Sequence, residues 1–311
     1  MPQVKTVWEM VKQSFSEWND DKCARLGAAL SYYTIFSLAP LLLIVISVAG
    51  LFFGKDAAAG AIYQQISDLV GSDAAKFIQE TVAKANHPGQ GIVSLVVGIV
   101  VLMVGATGVV IELQDALNTV WKVVPKPNRG IWGFVRTRLI SIAMIMSLGF
   151  LLLVSLIFSA ALAGITGWLR SRVGDIAFIG WAIDFVVSLG TISLLIALIY
   201  KILPEAHVAW RDVWVGAPVT AALFILGKYL IGLYIGKASV GSAFGAAGSL
   251  AVLLVWIYYS TQLILLGAEF TRVYANRFGK KVVPTAQAEP AAEALKDHPP
   301  PYPDATSPSR A

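Results

Sequence analysis

Between Gly27 and Phe53 the chain carries no charged residue. A helix needs about 20 apolar residues to cross a hydrocarbon core about 30 Å thick. Comparable runs recur at about 91–117, 139–168, 176–203, 213–235 and 244–270. Lipid offers the backbone no hydrogen-bond partners, so each run must be a helix. The sequence therefore predicts an all-α, polytopic membrane protein, a six-helix transmembrane bundle occupying 25–281. Composition agrees, with 57% apolar and 14% charged residues, where soluble domains carry roughly 25% charged residues. The first run is too long for the ~7–15-residue apolar core of a cleaved signal and is expected to stay as an anchor.

The segments around the spans have their own patterns. In 1–24, Val4, Val7, Trp8, Val11, Phe15 and Trp18 recur at helical spacing between Lys5, Glu9, Lys12 and Glu17. This is an amphipathic helix, placed either in the headgroup plane or against the loops. Residues 54–90 carry two short apolar stripes, Ile62, Ile66, Leu69, Val70 and Phe77, Ile78, Val82, separated by Gly71-Ser72-Asp73. They predict a helical hairpin on the outer, periplasmic surface. Residues 282–311 are rich in Pro, Ala and Glu and are expected to be a disordered cytosolic tail. With both termini inside, fifteen Lys and Arg flank the spans on the cytosolic side and six on the other, as the positive-inside rule requires. The expected location is a bacterial inner membrane, with multiple passes and cytoplasmic N- and C-termini. The single Cys23 cannot form a disulfide within the chain and reads as a small buried residue.

Several stretches are more specific than membrane filler: Ala29-Leu30-Ser31-Tyr32-Tyr33-Thr34-Ile35-Phe36-Ser37-Leu38-Ala39-Pro40, Asn118-Thr119-Val120-Trp121, Tyr200-Lys201-Ile202-Leu203-Pro204, Trp256-Ile257-Tyr258-Tyr259 and Leu266-Gly267-Ala268-Glu269. Together they resemble the YihY/BrkB family of bacterial inner-membrane proteins, over roughly Trp8 to Arg277. The resemblance implies a six-span bundle of a kind often described as a transporter or virulence factor. Some members carry an old ribonuclease BN label. It implies no agreed activity and no catalytic set.

Polar residues inside the spans are the candidate site. Counting ~1.5 Å per residue places Tyr32, Tyr33 and Thr34 of the first span ~10–14 Å inward, in the cytosolic half, with Ser31, Ser37 and Pro40 as further candidates on the same span. The same count puts Tyr258, Tyr259, Thr261, Gln262 and Glu269 of the sixth span there too, with Glu112 and Asn118 approaching on the second. Two readings stay open: they line one substrate cavity, or they are hydrogen-bond glue between helices. Asp184 and Lys228 fall in the outer half of the fourth and fifth spans and read as an intramembrane charge pair. The alternative is a Lys228 that snorkels to the interface.

These features favour a transporter or lipid-handling protein of the cell envelope with an amphipathic or lipid substrate. The alternative is a non-catalytic envelope scaffold, and Gly-rich helix faces leave a homo-oligomer open. Membrane lipids are the expected partners, and no cofactor or metal is expected. A net charge of +5 spread beside apolar runs does not make a nucleic-acid face. His87, His207 and His298 are isolated, so the clustered ligands of metal-assisted RNA cleavage are missing and the chain is not expected to be an enzyme.

Overall fold

A computed structural model of the chain describes residues 4–85, 108–126, 177–237 and 248–297. The protein is mostly helical. Its elements are α1 (Val4–Asp20), α2 (Cys23–Phe53), α3 (Lys55–Val70), α4 (Ser72–Ala85), α5 (108–120), β1 (Val123–Pro125), α6 (Ala177–Ile202), β2 (Ala206–His207), α7 (Trp210–Lys237), α8 (Gly248–Phe278), β3 (Val283–Pro284), β4 (Ala288–Pro290) and α9 (Ala291–Asp297). Among the described residues three helical stretches are long and apolar enough to cross a membrane: Cys23–Ser47, Phe185–Ile202 and Gly248–Phe278. The expected third span, 139–168, and most of the second lie outside the described residues.

Helix α2 runs 31 residues without interruption, about 46 Å at the helical rise. Pro40 sits inside it, so the break that a proline invites is not made here. A left-handed Lys22 turns the chain from α1 into α2, and Gly54 and Gly71 take positive φ on either side of α3. Gly54 and Gly71 fold α3 and α4 back as a helical hairpin. Its buried Ala58, Ile62, Ala74, Ala75, Ile78 and Val82 face inward. Ile62, Ala74, Ile78 and Val82 pack with Ala39, Leu42 and Val45 of α2 and with Val252, Leu253 and Ile257 of α8. A second apolar core joins Cys23 of α2, Leu117 and Val120 of α5, Ala197 and Tyr200 of α6, Val213 and Ala217 of α7, and Leu265 and Ala268 of α8. Helix α7 lies between α6 and α8, and α8 also carries α1 and α2 on its surface.

The segment from 282 departs from the disorder that its composition suggests. Strand β4 pairs antiparallel with β1, Val124 opposite Glu289, and β3 pairs with β2, Ala206 opposite Pro284. Backbone bonds from Lys126 to Gln287, Thr285 to Glu205 and Ala291 to Lys122 extend the clamp, and Ala288 is buried. The physical reason is that loops left open after α5 and α6 present unpaired backbone groups. A short polar segment can order on these groups without an apolar face of its own. Residues 298–311 lie outside the described residues.

Candidate functional site

Helices α7 and α8 run antiparallel and close, and the contact is built from glycines facing hydroxyls. A Cβ added to Gly216 would lie 2.7 Å from Thr271 Cβ, and one on Gly267 would lie 2.7 Å from both Thr220 Cγ2 and Tyr200 Oη. One on Gly227 would lie 2.6 Å from Tyr259 Oη. Thr220 bonds back to the Gly216 carbonyl at 2.9 Å and lies 3.2 Å from Tyr200 Oη, which also donates to the Ile264 carbonyl at 2.6 Å. The buried hydroxyls of Thr220, Tyr200 and Thr271 are all satisfied, the last by the Gly267 carbonyl at 2.7 Å, so the backbones approach there without leaving those groups orphaned in lipid. The quoted motifs contain Tyr200 and Gly267, yet nothing in their spacing showed that they meet.

Further along the same contact Phe224, Lys228, Ile231, Trp256, Tyr259, Ser260 and Leu263 line a narrow, partly open groove too tight to admit a water. Lys228 is half-buried there, one cation among aromatic and aliphatic side chains, and among the described residues it has no ion pair. Asp184 lies on α6, which packs on α7, but its side chain is outside the described residues. Lys228 thus lines the α8 side of α7 in company with Tyr259. Counting Tyr259 from Glu269 and Lys228 from Lys237 puts the two in opposite halves of the membrane. The structure sets them at one level, with Asp212 at the start of α7 against Gly279 just beyond α8. From that level, Lys228 and Tyr259 both stand about 24–30 Å along their helices.

The other candidate residues divide rather than converge. Ser31 and Ser37 are buried and Thr34 half-buried, and Ser31 and Thr34 bond to the carbonyls of Gly27 and Leu30 within their own helix. Tyr32 is 60% exposed and stacks with Tyr33 and Phe36 on the outside of α2, while Tyr258 is 37% exposed on α8. Helices α2 and α8 do meet, but at Gly27 against Thr261 and Gln262, whose amide donates to the Cys23 carbonyl at 3.4 Å. The tyrosines share a level and face away. Rotation about the helix axis separates them, and sequence distance carries no such information in a span apolar on every side. Pro40 and Glu112 are half-buried on α2 and α5. Asn118 is buried and its side-chain oxygen accepts the Glu205 N–H at 2.8 Å, with Gln114 bonding the Glu205 carboxylate at 3.3 Å.

Glu269 belongs to a different assembly. It is 0% exposed and accepts from Arg272 at 3.0 and 3.2 Å through Oε2. Arg272 also donates to Glu17 of α1 at 2.7 Å, and Lys122, at the end of α5, bonds to Asp21. One oxygen from each of Glu17, Asp21 and Glu269 lies within 4.8 Å of the others. Two cationic side chains already sit among these carboxylates, which makes the donor set an ion-pair network rather than a ligand cage. Burial alone would raise the Glu17 carboxyl, but the hydrogen bond and charge of Arg272, with Lys122 beside it, hold it below the ordinary carboxylate value. Sequence reading reached Glu269 alone, because its partners come from α1, the α1–α2 turn and α5. Arg277 with Glu9, 2.9 Å apart, adds a second tie between α1 and α8.

Long apolar helices, buried hydroxyls bonded to helix carbonyls and exposed aromatics on α1 (Trp8, Phe15), at the start of α7 (Trp210, Trp214) and at the end of α8 (Phe278) define a helical membrane protein. Residues 14–292 match the family described as Virulence factor BrkB, and the chain belongs to that family. It is similar to a UPF0761 membrane protein of Verminephrobacter eiseniae, 28% identical over 272 residues, which are 85% of this chain and 62% of the relative. A UPF0761 membrane protein of Alkalilimnicola ehrlichii is 27% identical over 267 residues, 82% of this chain and 56% of the relative. One from Pseudomonas aeruginosa is 28% identical over 259 residues, 80% of this chain and 58% of the relative. The chain thus spans about three-fifths of the length of the curated relatives it matches. No solved structure matches it.

Proposed function

We propose that the protein handles an anionic amphiphile, a lipid or lipid-like molecule, in the groove between α7 and α8. The observation that carries this is Lys228, one cation set among Phe224, Ile231, Trp256, Tyr259 and Leu263. A charge at that depth is costly in lipid, by about 2.5–3.5 kcal/mol even on the lenient insertion scale. An anionic headgroup with apolar chains offsets that cost and matches the lining in chemistry, and α7 and α8 must part further to admit it. Orientation follows from the Lys and Arg distribution: six spans in an inner membrane, both termini in the cytoplasm and the α3–α4 hairpin on the periplasmic side. The protein acts by binding and moving its substrate, without catalysis.

Purified protein reconstituted in liposomes tests this with a fluorescent anionic phospholipid and a zwitterionic one of equal chain length. The reading expects the protein to speed movement of the anionic probe between leaflets. Lys228→Ala is expected to cost about tenfold or more, the worth of one charged hydrogen bond. Probe movement equal to that of protein-free liposomes would refute it.

A further inference from the structure

The junction of α1, α2, α5 and α8 holds three carboxylates, Glu17, Asp21 and Glu269, and two cations, Lys122 and Arg272. Counting charges among the described residues leaves one negative charge uncompensated. The leftover acceptors identify where it lies. Glu269 spends Oε2 on Arg272 and Asp21 spends Oδ1 on Lys122, while Glu269 Oε1 and Asp21 Oδ2 are buried with no hydrogen-bond partner among the described residues. The Asp21 side chain is 8% exposed and that of Glu269 0%, and one oxygen of each lies within 4.8 Å of the other. An ionised carboxylate is acceptor-only, so two such oxygens cannot bond to one another, and two like charges this close do not both ionise.

We infer that Asp21 and Glu269 form a binding site for one proton, shared between Asp21 Oδ2 and Glu269 Oε1. That proton turns two orphaned acceptors into one donor–acceptor pair and brings the junction to neutrality with Lys122 and Arg272 both in place. A divalent cation would instead leave the junction with a surplus positive charge unless Lys122 withdrew. The charged and titratable groups around the pair are Glu17 from α1, Cys23 from α2, Lys122 after α5 and Arg272 from α8. Cys23 is buried and Glu17 is already engaged by Arg272, so neither replaces the proton. Loss of the proton sets two like charges across the α1–α2 turn and α8 and loosens that contact, leaving Glu17–Arg272 and Glu9–Arg277 as the remaining ties between α1 and α8. The site is independent of the Lys228 groove.

Infrared spectra of the full-length protein in nanodiscs test this through the C=O stretch of a protonated carboxyl and its shift in D2O. The wild type is expected to show one such band at pH 7 that both Glu269→Gln and Asp21→Asn abolish. Each amide supplies the N–H that the proton's bond requires, so either variant alone suffices if the other fails to fold. The protection of α1 amides, corrected for the intrinsic pH dependence of exchange, should fall as pH rises in the wild type and stay flat in Glu269→Gln. A wild-type spectrum without the band, a band that survives both variants, or a band displaced by millimolar Ca2+ or Na+ would overturn the proposal, the last by making the occupant a metal ion.

Discussion

Gly267→Ala measures how tightly α7 and α8 are held. Its new methyl would lie 2.7 Å from Thr220 Cγ2 and from Tyr200 Oη and overlap Thr220 Oγ1. Thr220 cannot swing aside cheaply, because its hydroxyl is bonded to the Gly216 carbonyl and sits 3.2 Å from Tyr200. Tyr200 is itself fixed by the Ile264 carbonyl. The helices must therefore separate, and inserting a methyl into a well-packed contact costs about 1–3 kcal/mol. Gly27→Ala is the control: its methyl would overlap only the terminal amide of Gln262 and lie 3.1 Å from that residue's Cδ, and a long side chain can move. Thr220→Ala alone should cost about 1 kcal/mol for its hydrogen bonds, and combined with Gly267→Ala it should cost less than the sum, with a coupling of about 0.5–3 kcal/mol. Unfolding in mixed micelles, read by tryptophan fluorescence, gives all four values. A neutral Gly267→Ala, or strictly additive losses, would refute the close packing.

Other perturbations probe the charged end and the terminal clamp. Arg272→Ala should be strongly destabilising, by about 3–5 kcal/mol, because it strips the compensating charge from buried Glu269; a denaturation midpoint close to wild type would contradict the network. Glu17 is held below its ordinary value, so its contribution is present above the unfolded-chain value and lost as pH falls through the lower native one. Glu17→Gln should therefore flatten the acid limb of the stability profile and leave the alkaline limb unchanged, as pH-dependent melting would show. Truncation after Val282 removes β3, β4 and α9 and should raise protease sensitivity at 122–126 and 203–208, the loops that these strands cover.

Helices α2, α6 and α8 were legible because a continuous apolar run has few alternatives in lipid. The hairpin was legible because Gly71 interrupts two amphipathic stripes. Tyr32, Tyr33 and Tyr258 show the limit: depth can be counted along a helix, but an all-apolar span does not declare which side a ring takes. The same gap hid the facing of Gly216 with Thr271, and of Gly267 with Thr220. These pairs are small residues on separate helices and become specific only once the helices are docked. The junction was hidden by distance in the chain, since Arg272 meets Glu17 across 255 residues. The ordered segment after Lys281 was missed because composition weighs side chains, while β3 and β4 are held by backbone bonds.

Native mass spectrometry of the purified protein with matched anionic and zwitterionic phospholipids tests the central claim most directly. The account predicts that the wild type and Lys228→Arg retain anionic lipid in preference to zwitterionic, and that Lys228→Ala loses that preference while keeping its fold. Equal retention of both lipids by the wild type, or an unchanged preference in Lys228→Ala, would contradict it.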